Sequence, residues 1–465
     1  MEELRKGRLR GQGFIERVLQ PRALFYLVGI LVVFLYHLKF DLSYGDVVNS
    51  YGNVLKRGSE YFPQDGNVLE AMYNFTVFHY TGWSSRNVIE IVLIIVGALP
   101  AIYWHILDIG MVMLIGYCLE NLVPIKDQKI KYMGMFSFLM MYYVVGMRSA
   151  GWIAVTINYS WVVAAALYMF LIVQKIRGSK GISKASYALA LLAAFYAMNQ
   201  EQMCGMSLLV LGIFLARDVY NRKLKKSILP FFLLNIAEFV WILTCPGNAC
   251  RKNVEISSYF PSYGTYSFMY KIYEGVCSLL KALFDIWGMV IITVAFLLLL
   301  LYLALREKAP TAVKLTLAFP LCYIIVKLIC TKGMAILEKP LPTIFMDYRL
   351  SAPAAIAGCL ALACMFVACW YVTRGMGGQL EFLGILCSAA ATKVVLGFSL
   401  AFQVSGERTS IFLAFTLIFA SLFLIGKNEP LFQFLGEKKF LLGLGAMDVM
   451  LFLRNYYLIV SEKVI

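Results

Sequence analysis

Charge, histidine and the motifs of nucleotide-sugar chemistry are what this chain is short of. Only 15% of its 465 residues are Asp, Glu, Lys or Arg, against about 25% in soluble globular proteins. That excludes a soluble enzyme. Three histidines are too few for a His-rich metal centre, and His79 and His105 are far apart in the arrangement of spans derived below. There is no Asp-x-Asp triplet, Gly-rich phosphate loop or Walker motif, so a cytosolic nucleotide-sugar donor is not expected. Acids are the scarcer sign, 27 against 42 Lys and Arg, for a net charge of +15. In a soluble protein that excess would suggest nucleic acid; in a membrane protein it marks one side of the bilayer.

What the chain does have is apolar length. Apolar residues make up 61% of it and mean hydropathy is +0.74. At about 20 residues per crossing, that suffices for ten or more spans with little left for soluble domains. The eleven cysteines read chiefly as small apolar residues inside spans, which excludes a disulfide scaffold.

The expected fold is therefore all-α: a polytopic integral membrane protein of about 12 transmembrane helices plus an interfacial helix. Spans are expected near 23–39, 101–121, 132–147, 159–175, 185–199, 203–217, 228–245, 284–305, 312–330, 351–373, 380–402 and 410–426. As one straight helix, 88–121 would be about 51 Å long, too long for a hydrocarbon core of ~30 Å. Pro100 marks a bend there, so an interfacial helix should precede a single crossing. Both flanks of 185–217 are basic, so this segment should go out and return, turning at Asn199-Gln200-Glu201-Gln202. With these joins, 27 cations fall on the inner side and 13 outside, leaving Lys327 and Lys393 within spans. Residues 1–22, with Arg5, Lys6, Arg8, Arg10, Arg17 and Arg22, form a basic cytoplasmic N-terminus. Residues 23–426 form the transmembrane domain, and 427–465 a cytoplasmic or interfacial C-terminal segment. Asp448 and Arg454 make 440–465 an interfacial amphipathic helix. Both termini are expected in the cytoplasm.

The polar residues then crowd one rim. Asp41 and Asp46 lie in the long loop 40–87, which ends at Trp83 and Arg86. The later outer turns carry Trp152 and Asn158-Tyr159-Ser160-Trp161, then Glu201, then Cys245-Pro246-Gly247-Asn248-Ala249-Cys250-Arg251, Asp347-Tyr348-Arg349 and Glu407-Arg408. Inner turns are mostly plain Lys and Arg. Acids beside cations and aromatics at an aqueous rim suit sugar transfer from a lipid phosphate. A carboxylate can act as general base toward a hydroxyl, Arg can grip phosphate with its two-pronged fork, and Tyr or Trp can stack on sugar rings.

Each residue type also has a plainer use. Tyr and Trp at span ends form an interface belt by default. Asp41 and Asp65 read as solvated surface, and Asn199, Gln200 and Gln202 as helix caps. Cys245 and Cys250 are a disulfide or two free thiols. Asp108 and Glu238 read as hydrogen-bond partners between helices. Lys327 and Lys393 can snorkel outward or pair with an acid. Glu201 is harder to dismiss, because it interrupts an apolar hairpin.

Gly45-Asp46, followed by Leu55 and Gly58, resembles the first outer loop of GT-C-type membrane glycosyltransferases. Further motifs resemble an uncharacterised DUF-class family of bacterial polytopic membrane proteins usually grouped with those enzymes. They are Tyr80-Thr81-Gly82-Trp83-Ser84-Ser85-Arg86, Gly151-Trp152 with Asn158-Tyr159-Ser160-Trp161, Gln200-Glu201-Gln202, Pro246-Gly247-Asn248 with Arg251, and Glu407-Arg408. The resemblance covers about residues 23 to 426, in order. It implies a multi-pass enzyme of the bacterial plasma membrane, moving sugar from a polyprenyl-phosphate carrier to a cell-envelope glycan or lipid acceptor on the outer face. The loop-one acid of such enzymes, a catalytic base or metal contact, maps onto Asp46, with a divalent cation as the implied cofactor. Glu201 would be a second acid or an acceptor contact. Arg86, Arg251 and Arg408 would meet the lipid phosphate, with Trp83, Trp152, Asn158, Tyr159, Asn248 and Glu407 as further substrate contacts. Many relatives carry two adjacent acids where this chain has Gly45 before Asp46, and this chain has no large C-terminal outer domain.

Three other readings share these features. A flippase or transporter of lipid-linked saccharides would show repeats and charges near the midplane. A polysaccharide polymerase or ligase would carry one large late outer loop. An assembly factor would have Asp46, Glu201 and Arg251 far apart.

Overall fold

The computed structural model describes residues 20–142, 149–259, 261–399 and 406–461. Most of the basic segment 1–22 lies outside these residues, as do the end of the 132–147 span and Ser405. Among the described residues there is no strand, only an isolated bridge between Ser59 and Phe62.

The chain enters with α1 (Pro21–His37) and a loop holding the single turn α2 (Asp46–Asn49). Helices α3 (Val68–Gly82) and α4 (Asn87–Ala98) follow, then α5 (Ala101–Leu122) and α6 (Gln128–Tyr142). Next come α7 (Trp152–Arg177), α8 (Lys184–Met198), α9 (Glu201–Tyr220) and α10 (Leu229–Thr244). Two helices, α11 (Pro246–Tyr259) and α12 (Phe268–Phe284), fill the next long connection. The series ends with α13 (Trp287–Arg306), α14 (Thr311–Leu337), α15 (Ala352–Val372), α16 (Gln379–Val395), α17 (Ile411–Lys427) and α18 (Lys438–Val460). Every expected span coincides with one of these helices. Ten of them are long and apolar enough to cross a membrane, and α1 and α8 are shorter apolar helices.

The break at Pro100 is real. Leu99 and Pro100 are extended, separating α4 from α5. At 12 residues, α4 is only ~18 Å long. Its first turn is held by Asn199 and its last by a close approach of Gly97 to Gly52, so both its ends lie at one end of the bundle.

That end, the far end, collects the turns expected outside; the opposite, basic end collects those expected inside. At the basic end Arg22 pairs with Glu120 at 3.0 Å. Arg177 forks onto Asp218 at 2.8 Å through each of two nitrogens, and both Arg177 and Arg217 reach Glu381. Glu429 accepts the backbone N–H groups of Lys126 and Asp127. Interior charges are satisfied in the same way. Asp108 of α5 accepts from Trp161 Nε1 at 2.8 Å and lies 3.1 Å from His37 Nε2. This is the interhelical role expected of Asp108, and it ties α1, α5 and α7 together.

Lipid offers no hydrophobic drive for helix association, so close packing of small residues matters more. Helix α7 presents Ala164, Ala165 and Ala166, and α8 presents Ala190, Ala194 and Ala197, all buried. These two helices make the most extensive pairing in the bundle.

The C-terminal helix departs from expectation. Rather than lying at the interface, α18 packs lengthwise beside α1 and α6. Gly445 meets Met133, Ser137 donates to Asp448 at 3.0 Å, and Asn455 donates to the Met140 carbonyl at 2.7 Å. Tyr36 stacks on Phe452 with centroids 5.3 Å apart. The contacts ascend together, so α18 runs parallel to α1 and α6. Of its polar residues, Asp448 and Asn455 bond to the neighbouring α6, while Arg454 donates to Asn455 of its own helix. Pro21 and Val460 consequently lie at opposite ends of the bundle. A topology reporter fused after Ile465 should therefore report the side opposite to one inserted in the 374–378 turn at the basic end. Identical readouts from the two fusions would return α18 to the interface.

Candidate functional site

Two glycines place Asp46. Gly45 has φ +104° and Gly151 φ +87°, a region that favours glycine. A Cβ on Gly45 would sit 2.6 Å from the Ala150 carbonyl oxygen, and one on Gly151 2.8 Å from that of Tyr44. The two backbones touch, and the Asp46 N–H donates to Ala150 at 3.1 Å. Asp46 then opens α2 beside the start of α7.

Just inside α7, residues Thr156–Ser160 form a π turn. Such turns widen a helix by a residue and frequently mark functional positions. Here the Ile157 carbonyl accepts from the Tyr196 hydroxyl at 2.6 Å. Asn158 faces α4, where its Oδ1 accepts from Arg86 Nη1 at 3.1 Å. Arg86 also donates through Nε to Glu201 at 2.7 Å, and its Nη2 lies 2.6 Å from the same oxygen. Tyr159 is within hydrogen-bonding reach of the same guanidinium. Burial opposes the Arg86 charge, but Glu201 and Tyr159 outweigh it and hold the group above its ordinary pKa.

Asn199 fastens this wall. Its Oδ1 accepts from the N–H groups of Val88 and Ile89 at 3.0 and 3.3 Å, capping α4 from another part of the chain. Its Nδ2 donates to Ser85 O and Glu238 Oε2. Gln200 caps α9 through the Met203 N–H at 2.8 Å. The capping expected of Asn199 and Gln200 is what they do, and Glu238 is the interhelical partner expected of it. Gln202 donates instead to the Thr392 and Thr409 carbonyls, tying α9 to α16 and the approach to α17.

A third wall comes from α11. Gly247 lies against the last turn of α3, where a Cβ would be 2.5 Å from Trp83 N. That contact brings Arg251 over the Trp83 ring, 5.3 Å from its centroid, while Arg251 Nε donates to Glu255 at 2.8 Å. Cys245 donates to the Tyr80 carbonyl, whereas Cys250 is exposed.

Asp46 lies near these walls with its side chain exposed. Partial desolvation raises the pKa of its carboxyl above the ordinary value, against the opposing pull of Arg408 and then Arg251. Arg251 also acts on Glu201. Asp46, Arg86, Glu201, Arg251 and Arg408 thus share one electrostatic neighbourhood, joined by Trp83, Asn158 and Tyr159.

Three expected contacts fall elsewhere. Trp152 is buried, stacked on Phe40 with centroids 3.7 Å apart, and serves packing. Asn248 donates to the Ile242 carbonyl and closes the end of α10. Glu407 lies within electrostatic reach of Lys281, Arg454 and Lys393. The divalent cation does not fit either. The charged groups acting on Asp46 are two arginines, and no group of three His, Cys, Asp or Glu suited to a metal occurs among the described residues.

Two neighbours escaped the sequence reading. Tyr51 lies within reach of Glu90, Asp46, Arg86 and Arg251, and its hydroxyl is buried and pushed up. His79 bonds Glu90 at 3.1 Å and stacks on Phe75. The only signal for Tyr51 was its place five residues after Asp46. His37 and His105, with ring nitrogens 3.1 Å apart, are a further pairing the spacing did not suggest.

Comparison with family models, curated proteins and solved structures finds no match.

The electrostatics separate the two acids. The folded-state pKa of Asp46 lies above its unfolded value, so the folded chain binds its proton more tightly. Stability therefore falls as pH rises from the unfolded through the folded pKa, and the full penalty stands above both. Asp46→Asn should leave the melting temperature at pH 7.5 unchanged or higher, with any gain shrinking toward acid. Glu201→Gln, which strips Arg86 of its carboxylate, should cost roughly 1.5–3 kcal/mol. Thermal denaturation in detergent checks both; marked destabilisation by Asp46→Asn at pH 7.5 would make Asp46 a structural residue.

Proposed function

We propose that the protein is a membrane glycosyltransferase that moves a sugar from a polyprenyl-phosphate-linked donor to a cell-envelope glycan or lipid acceptor. In this reading the far end faces outward from a bacterial plasma membrane. The observation that carries it is that an exposed carboxylate, Asp46, lies within electrostatic reach of Arg251 and Arg408, drawn from three distant parts of the chain. The excess of cations at the opposite end supports the orientation.

The chemistry follows from those charges. An acceptor hydroxyl gives its proton to Asp46 as its oxygen bonds the anomeric carbon of the donor sugar. The bond from that carbon to the phosphate oxygen breaks, and its electron pair leaves with the lipid phosphate. Arg251 and Arg408 hold that phosphate and offset the charge it gains. An Asp pKa raised by partial desolvation brings the base closer to the operating pH. Arg86 is committed to Glu201 and Asn158, so this pair positions the wall beside Asp46, and Glu201 acts through Arg86.

Asp46→Asn should lower sugar transfer by at least ~100-fold, the usual worth of a general base, at unchanged protein level. Composition and linkage analysis of the surface glycan in a strain carrying only the variant checks this. A wild-type glycan would remove Asp46 from the chemistry.

A further inference from the structure

A cavity of about 540 Å³ opens at the far end, where α12 gives way to α13 beside the outer half of α14. Pockets that hold small ligands are typically about 300–1,000 Å³. It shares no lining residue with the neighbourhood of Asp46. Lys281 lies within electrostatic reach of both Asp285 here and Glu407 beside Arg408.

The lining has a particular chemistry. Lys327, on the apolar helix α14, is 5% exposed and turns into the cavity rather than toward lipid. Ionisable groups at such positions face functional cavities far more often than not. Lys327 pairs with Asp285 and donates to the Tyr348 hydroxyl at 2.7 Å. Lys332 sits 5.5 Å from the Trp287 ring centroid, and Asp347 lines the opposite rim. Lys327 pairs with Asp285 and Arg349 lies 3.7 Å from Asp347, so the lining charges are largely matched within the protein and little is left for a phosphate. An aliphatic chain would leave these charged groups without hydrogen-bond partners. What remains is a ligand with many hydroxyls, each able to donate to a carboxylate and accept from an ammonium. Trp287 and Phe345 supply flat apolar faces, which suit the C–H face of a sugar ring.

We propose that this cavity binds a neutral pyranose unit, one belonging to the acceptor glycan of the transfer described above and remote from the unit whose hydroxyl reaches Asp46. Binding rests on the cavity; only the occupant's role as acceptor rests on the transferase reading. The site is distinct from the Asp46 centre and needs neither Asp46 nor a donor.

The test uses the full chain in lipid nanodiscs with the methyl glycosides of glucose, galactose, mannose and N-acetylglucosamine as probes, read by saturation-transfer NMR. At least one glycoside should receive saturation at its ring protons. Binding should persist in Asp46→Asn and in Trp287→Phe, and fall about tenfold in Trp287→Ala, the loss expected for one aromatic face. Saturation of none of the four, equal binding by Trp287→Ala, or displacement of the glycoside by inorganic phosphate would each overturn the proposal. Glycoside binding without any sugar transfer would remove the transferase reading and leave the cavity's ligand class standing. Transfer that survives without glycoside binding would do the reverse.

Discussion

A charged side chain taken out of water must find an opposite charge or hydrogen bonds, or it shifts its ionisation and destabilises what holds it. In a chain that is 61% apolar, that constraint determines where the few polar residues can go. Arg177 meets Asp218 and Glu381, Lys327 meets Asp285, and Lys393 reaches the Thr409 hydroxyl. Asp108 bridges His37 and Trp161. Each pairing joins separate segments, so the polar groups set the register of the bundle as well as its chemistry. Asp46 behaves like Asp285: although it is exposed, partial desolvation of its carboxyl outweighs the two arginines acting on it, as it outweighs Lys327 at Asp285, and leaves the group less acidic than usual.

The site is built from backbone contacts as much as from charges. Gly45 against Gly151 and Gly247 against Trp83 bring together three loops remote in sequence. The π turn in α7 and the capping of α4 by Asn199 then fix the wall on which Arg86 and Glu201 meet. Of the three arginines, Arg86 is bound at both ends of its fork, while Arg251 and Arg408 are the ones whose charge reaches Asp46. In one short turn, the charge of Arg408 reaches Asp46, while Glu407 is reached by the charges of Lys281, Arg454 and Lys393.

Hydropathy made the helices legible because lipid burial is a local property of each segment. The bend at Pro100 and the hairpin turn at Asn199 were legible for the same reason. The rim residues could be grouped because cation placement fixed their shared side. Partners could not be read. Arg86 and Glu201 are 115 residues apart, and nothing in spacing distinguishes an exposed Trp83 from a packed Trp152. Helix α18 failed for a related reason: Asp448 and Arg454 suggested a polar face, but Ser137 and the charge of Glu407 meet them inside the bundle. The π turn left no mark, since an extra residue per turn alters no composition.

The account stands most directly on whether Arg251 and Arg408 hold a lipid phosphate. Phosphorus NMR of the protein in nanodiscs containing a short-chain polyprenyl phosphate measures this without knowledge of the sugar or acceptor. A shifted resonance should be present for the wild type and for Asp46→Asn, and absent for the double variant Arg251→Ala with Arg408→Ala. An unchanged spectrum in that double variant would contradict the account.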